Sequence, residues 1–353
     1  MCIRDRYCFE VVHRLFVDLR SASDDLLFGG VPFLLGGDFA QILPVVAQGE
    51  RADIVKACLQ RSFIWTKLDR LYLRTNMRVS NATDPQDRAF VHWIGSLSYT
   101  PDLIGPVTIP HFIQKTDSVP GLISTVYPPE ILQRSLTDPT IFQGRVILSA
   151  LNQSVSELNR NILGSFPGPY RVYHSIDSTD LSEDSNVEEL PVEHLQGIDL
   201  PSLPPSKLVL KVGIPVMLLR NLCPKEGLCN GARMVVTNMR QHCIEGRLLG
   251  GDFDGHLRTI PRVKLTSGEK DLTFMLSRKQ FPVRVCFAMT INKSQGQSFE
   301  RVGVDLRVSV FSHGQFYVAV SRVSSASGLC VLLPDGCQHS DNVVWPEVLQ
   351  DLS

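Results

Sequence analysis

Apolar positions along the chain fall into short runs, and the spacing of those runs changes from one region to the next. Val31-Pro32-Phe33-Leu34-Leu35 is a compact apolar run stopped by Gly36-Gly37, the pattern of a buried parallel strand. Arg145-Val146-Ile147-Leu148 is a second such run. A helix is predicted after it. Ser154 and Glu157 form a capping box, Val155, Leu158, Ile162 and Leu163 fall on one face, and Pro167-Gly168-Pro169 ends the segment. Strand, polar loop and helix make the βα unit of an open parallel sheet, which binds ligands at the carboxyl ends of its strands. Between residues 207 and 285 the texture changes. Leu208-Val209-Leu210, Val216-Met217-Leu218-Leu219, Met234-Val235-Val236 and Val283-Arg284-Val285 are short β-rich runs separated by Gly and Asn turns, which predicts a small inserted β-barrel.

The pattern then returns to strand, turn and helix. Ala288-Met289-Thr290-Ile291 runs into Asn292-Lys293-Ser294-Gln295-Gly296-Gln297-Ser298. A cation, amides, hydroxyls and a glycine in one turn after an apolar strand suit an oxygen-rich ligand, phosphate above all. Phe316-Tyr317-Val318-Ala319-Val320-Ser321-Arg322 follows as a helix ending on arginine, with Ser312 and Gln315 as the capping box that would start it.

Composition narrows the picture without identifying a function. A chain of 353 residues suggests about two domains. No apolar run reaches the roughly 18 residues that span a membrane, and Arg4, Asp5 and Arg6 have no apolar stretch behind them to make a secretory signal. The nine cysteines contain no C-x-x-C pair, which favours reduced thiols in an intracellular protein over a structural zinc site. With a formal net charge of −1, nucleic acid would have to be met by local basic patches.

Charge is unevenly distributed. Residues 172–206 contain no Lys or Arg but hold Asp177, Asp180, Glu183, Asp184, Glu188, Glu189, Glu193 and Asp199 among four prolines. The stretch reads as an exposed, extended connector. Residues 272–299 contain no acid and carry Arg278, Lys279, Arg284 and Lys293 between Phe274, Phe281 and Phe287. Arg278 and Lys279 read equally well as solvated cations on core strands. Leu-Leu-Gly-Gly-Asp-Phe occurs at residues 34–39 and again at 248–253, with unrelated continuations. The first copy alone leaves a strand end carrying an acid and an amide, Asp38 and Gln41.

These residues carry a family resemblance. Gly37-Asp38-Phe39-Ala40-Gln41-Ile42-Leu43-Pro44-Val45 resembles motif III of the petite integration frequency (Pif) helicases, and Asn76-Met77-Arg78 resembles their motif IV. Residues 290–297 resemble motif V and residues 317–322 motif VI. Residues 216–221 with 228–233 are similar to the entry into the family's inserted β-domain. Thr290-Ile291-Asn292-Lys293 and Phe311-Ser312-His313-Gly314-Gln315 are similar to the helicase half of Helitron transposons.

The resemblance implies an α/β protein with the RecA-like P-loop NTPase helicase fold. Residues 1–80 would be the remnant of a first RecA-like domain and 81–140 a connecting segment. A complete second RecA-like domain would start at 141–207, with the acidic linker 172–206, and resume at 285–353. A small SH3-like β-barrel would occupy 208–284. The implied activity is ATP-dependent 5′-to-3′ DNA unwinding in repair, recombination or telomere maintenance, with ATP and Mg2+ as cofactors. Single-stranded or forked DNA would be the partner, of a monomer in the nucleus or mitochondrion. Gln41 would sense the γ-phosphate, and Arg78 and Arg322 would neutralise charge in phosphoryl transfer. Gly37, Asp38, Gly296 and Gln297 would line the nucleotide. Asn152, Thr290, Lys293, Ser294, Gln295, Arg278 and Lys279 would meet DNA, and no residue is assigned to a metal. Blander roles are open to each: Arg322 as a helix C-cap, Arg78 paired with Asp84 or Asp87, Gln41 satisfying buried backbone.

The chain departs from the family in having no G-x-x-x-x-G-K-[ST] loop and no Asp-Glu pair at a strand end. Asp24-Asp25 follows Ser-Ala-Ser rather than an apolar strand, and residues 1–6 match nothing in these helicases. A fragment truncated upstream, with residues 1–6 foreign and no helicase-rate ATP hydrolysis, is therefore expected. A silent transposon remnant that still holds single-stranded DNA is one alternative. An α/β metabolic enzyme binding a phosphorylated small molecule is another.

Overall fold

The structure, a computed structural model, describes residues 5–23, 25–73, 84–179, 190–268 and 271–349. The chain divides into two compact units. One comprises Met1–Lys115, Ser294–Ser298 and Leu306–Ser353, the other Thr116–Lys293 and Phe299–Asp305. The division departs from the expected domains, because residues 306–353 and the end of the polar turn belong with the N-terminal unit.

The second unit contains the predicted parallel core. Strand Arg145–Ser149 lies between Ala288–Thr290 and Arg301–Asp305 and is parallel to both. Val146, Ile147, Leu148, Val302 and Val304 are fully buried, so the strand reads as a continuous apolar run, as a sheet covered on both faces requires. The predicted helix follows as Asn152–Ser165, starting two residues ahead of Ser154, and it buries Leu158, Asn159 and Ile162.

The β-rich region is larger than the sequence suggested. Five antiparallel strands run in the order Leu257–Pro261, Cys243–Leu249, Arg233–Met239, Pro215–Leu218, Val283–Val285. A second sheet orders Val263–Thr266, Leu276–Gln280 and Ile176–Thr179, and Tyr170–His174 pairs with Lys207–Lys211. The acidic stretch is thus no extended connector over its described residues. It supplies two strands and the helix Val192–Gly197, and it buries Leu195 and Leu203 against Leu265 and Leu276. Counting charges alone missed the alternation of Tyr173, Ser175 and Asp177 facing inward.

Arg278 accounts for that inward acid and corrects its own assignment to DNA. It is 0% exposed. Its Nε donates to both Asp177 carboxylate oxygens at 3.0 and 3.1 Å, and Nη2 donates to Oδ2 at 2.9 Å. The remaining N–H groups reach the carbonyls of Leu195, Ile198 and Pro204. A guanidinium with every face engaged inside the fold has nothing left for a phosphate. Lys279, one residue on, points the opposite way and is exposed.

The first unit opens with helix Arg6–Arg20. Asp5 caps it by accepting from Cys8 N, and Ser21 closes it in the left-handed region. Helix Arg51–Ala57 begins with a Glu50/Asp53 capping box, and Arg51 forms a two-pronged ion pair with Glu347 at 2.7 and 2.6 Å. Asn342, on the strand His339–Asn342 that pairs with Gly105–Thr108, donates to the carbonyls of Leu97 and Leu103. The run 31–35, expected as a buried strand, has no ladder partner among the described residues, and Leu34 is 93% exposed. Apolar content alone does not make a strand; a neighbour must supply the hydrogen bonds.

Candidate functional site

In the first unit the sequence signals converge on a short turn after Gly36-Gly37. Asp38 organises it: Oδ1 accepts from Ala40 N at 3.0 Å, and Gln41 N donates to Asp38 O at 3.2 Å. The expected strand end is therefore an Asp-centred turn. Gln41 Nε2 donates to Asp38 Oδ2 at 3.1 Å, and Tyr317 Oη donates to the same oxygen at 3.3 Å. Gln295 Nε2 donates to Gln41 Oε1 at 3.0 Å. Residues separated by more than 250 positions thus form one chain of hydrogen bonds, Gln295 to Gln41 to Asp38 to Tyr317.

The base of this turn is clamped by the run 311–315. His313 is fully buried. Its Nδ1 accepts from Trp345 N at 2.8 Å and its Nε2 lies 2.7 Å from Phe39 O, so the ring carries its proton on Nε2 and donates there. Helix Gln315–Val320 starts later than the predicted capping box, from Gly314 at φ 72°. Half of the box is nevertheless present, since Gln315 Oε1 accepts from Ser312 N, and it also accepts from Phe311 N.

Burial holds the His313 pKa below its usual 6.5. A depressed folded-state value means that the unfolded chain binds the extra proton first. The contribution is then complete above about pH 6.5 and is lost as pH falls through the folded value. Protonating Nδ1 also breaks the bond from Trp345. We expect unfolding free energy to drop between pH 7 and 5 in the wild type. The drop should be distinctly smaller in His313→Asn; equal slopes in parallel urea titrations would contradict it.

Arg322 closes the far end of the first-unit site. It is largely buried, with Nε on Val318 O at 2.9 Å, Nη1 on Gln297 O at 3.0 Å and Nη2 on Ser321 Oγ at 2.8 Å. In this state it caps its own helix and ties down the polar turn. Gly296 takes φ 78° in that turn. Ser294 is fully buried, which corrects the expectation that its hydroxyl meets DNA: a side chain packed inside the turn presents nothing outward. Gly37 is exposed. Arg78 lies outside the described residues.

The second unit gathers the other candidates along a groove. One end, about 440 Å³, is lined by Asn152, Gln153, Ser156, Glu157, Arg160, Asp199, Pro201 and Arg284. It continues to Thr290 and Lys293. Surrounding protein, with Arg284 nearby, lowers the Lys293 pKa although the side chain reaches solvent. Arg284 itself is held by Asp199 and by the carbonyls of Leu200 and Leu203. Lys279 is not among the lining residues. Sequence reading missed His313 and Asn159. The available signal for Asn159 was a polar residue on the buried stripe of an amphipathic helix.

Comparison with known proteins bears on the sequence and the fold. The family model described as PIF1-like helicase matches residues 1–99, and the model described as DNA helicase Pif1, 2B domain, matches residues 193–239. The ATP-dependent DNA helicase PIF1 of Danio rerio is 29% identical over 317 residues, covering 86% of this chain and 41% of that protein. The chain therefore spans about two fifths of the length of that relative. A crystal structure of Pif1 helicase from Candida albicans superposes with a TM-score of 0.62 at 22% identity, over 99% of this chain and 73% of that one. A Bacteroides Pif1 structure in complex with ADP-AlF3 and ssDNA gives 0.63 at 20% identity, over 99% and 72%. The mixed α/β architecture with its parallel core is thus a RecA-like helicase fold. Two family models match in order along one sequence and related helicases align over most of it, so the chain is similar in sequence and fold to the Pif1-like helicases.

Proposed function

We propose that this chain works as part of an ATP-dependent DNA helicase that moves 5′ to 3′ along single-stranded DNA. The observation that carries the reading is the hydrogen-bond chain from Gln295 through Gln41 to Asp38 and Tyr317. Such a chain makes a turn poised for phosphate sensitive to the polar turn that would touch DNA. In this reading Gln41 senses the γ-phosphate, with Gly37, Asp38, Gly296 and Gln297 around the nucleotide. Arg322 exchanges its carbonyl partners for transition-state charge, and Arg78 is its counterpart. Lys293, Thr290, Gln295 and Asn152 follow the DNA backbone, with Lys279 as an outlying contact. Bound ATP would supply the phosphoryl group whose transfer drives stepping. Mg2+ would enter with the nucleotide phosphates. The Bacteroides relative bound to ADP-AlF3 and ssDNA supports the pairing of ligands.

The test is binding of a fluorescein-labelled oligo-dT between 50 and 200 mM salt. Log affinity should fall linearly with log salt, as counterion release requires. Lys293→Ala should weaken binding roughly tenfold or more, the scale of one hydrogen bond to a charged group. It should also make the slope shallower by about 0.7, the loss of one single-strand phosphate contact. No measurable binding at low salt, or an unchanged slope in the variant, would remove the basis of the proposal.

A further inference from the structure

We propose that Asn159 is a positioning residue that sets the height of the Lys293 turn on the DNA strand. The inference rests on the single-stranded DNA reading above. Strand Ala288–Thr290 pairs in register with Arg145–Ser149, and Ile147 N donates to Phe287 O at 3.1 Å. In a parallel ladder alternate residues bond toward one neighbour. Phe287 therefore faces Arg145–Ser149, and Ala288 turns its N–H and C=O to the opposite edge. Asn159 meets both there: Oδ1 accepts from Ala288 N at 2.9 Å and Nδ2 donates to Ala288 O at 3.0 Å. The carboxamide thus does the work of one residue of a further strand.

Ala288 and Asn159 are both buried, so the backbone groups need these partners. Two residues after Ala288 the strand ends at Thr290, and the tight turn Ile291–Ser294 follows. A slip of the strand edge would be passed directly to Lys293. Asn159 also stands two helical turns after Asn152, on the same stripe, and both line the groove that reaches Thr290 and Lys293. One helix face would therefore touch the DNA at its start and hold the lysine's strand at its middle.

Asn159→Ala and Asn159→Asp test the role. The first removes both bonds, and the second keeps an acceptor for Ala288 N but sets a carboxylate oxygen against Ala288 O. Each should weaken oligo-dT binding roughly tenfold and flatten the salt slope by about 0.7, as loss of the Lys293 phosphate contact would. In a Lys293→Ala background either should add less than about twofold, because coupled residues are non-additive. A merely structural asparagine would lower thermal stability while leaving the slope unchanged and the effects multiplicative, and that result overturns the proposal. Amide exchange on the wild-type chain covers variants that fail to fold. The Ala288 amide should be strongly protected, and oligo-dT should slow exchange at Ala288 and Lys293 together; fast exchange at Ala288, or no shared response, overturns it. If wild type does not bind oligo-dT, the DNA reading fails, and with it the positioning role, whatever the protection at Ala288.

Discussion

Arg278→Ala is expected to destabilise the second unit by about 3–5 kcal/mol, the cost of removing one partner of a buried ion pair. The side chain is wholly inside the fold, and its loss removes the donors to the Asp177 carboxylate and to the carbonyls of Ile198 and Pro204, while Leu195 O keeps only the amide of Ile198. Those carbonyls belong to the segment that packs on strand Leu276–Gln280, so the hydrophobic contacts of Leu195 and Leu203 are weakened with them. Lysine should not rescue the variant, because an ammonium cannot reproduce five fixed donors. Asp177→Leu combined with Arg278→Met should recover part of the loss by replacing the ion pair with apolar contact, though the orphaned carbonyls remain. Urea denaturation reads the effect. Oligonucleotide affinity per folded molecule should stay at the wild-type value. A variant with normal stability and weaker DNA binding would return Arg278 to the DNA surface.

Gly314→Ala should be comparably damaging to the first unit. At φ 72° an L-residue pays about 1–2 kcal/mol. An added Cβ would stand 2.5 Å from Ala40 O and 2.6 Å from Gln41 C. Relief is blocked on both sides, since Gly314 N donates to Val343 O and Gly314 O accepts from Val318 N. Overpacking of this kind adds about 1–3 kcal/mol. The turn at residues 38–41 would have to move, and the Gln41–Gln295 bond would go with it. The expected result is a thermal midpoint lowered by several degrees, with faster amide exchange at residues 38–41. A midpoint within about 2 °C of wild type would show that the turn yields freely.

The parallel core was legible because a short apolar run followed by an amphipathic helix admits few other folds; Val146 to Leu148, Leu158 and Ile162 lie where periodicity put them. The polar turn after Thr290 was legible from local composition in the same way, and so was a helix after it, although that helix, Gln315–Val320, stops short of Arg322; the order of motifs carried the resemblance to the Pif helicases. Long-range partners were not. Asp177 looked like one more linker charge until a strand 101 residues away brought Arg278 against it. His313 carried no local signal of its bonds to Phe39 and Trp345, because both partners are backbone atoms, which every residue has. The run 31–35 has the composition of a buried strand and yet no ladder among the described residues, since a strand exists only by virtue of its neighbours. Sequence alone thus determined which segments can bury one face, and which residue types stand ready for phosphate. Tertiary structure decided which of those charges are spent inside the fold and which remain for a ligand. Periodicity is a property of neighbours along the chain, whereas a hydrogen bond or ion pair is settled by whatever folding brings within 3 Å.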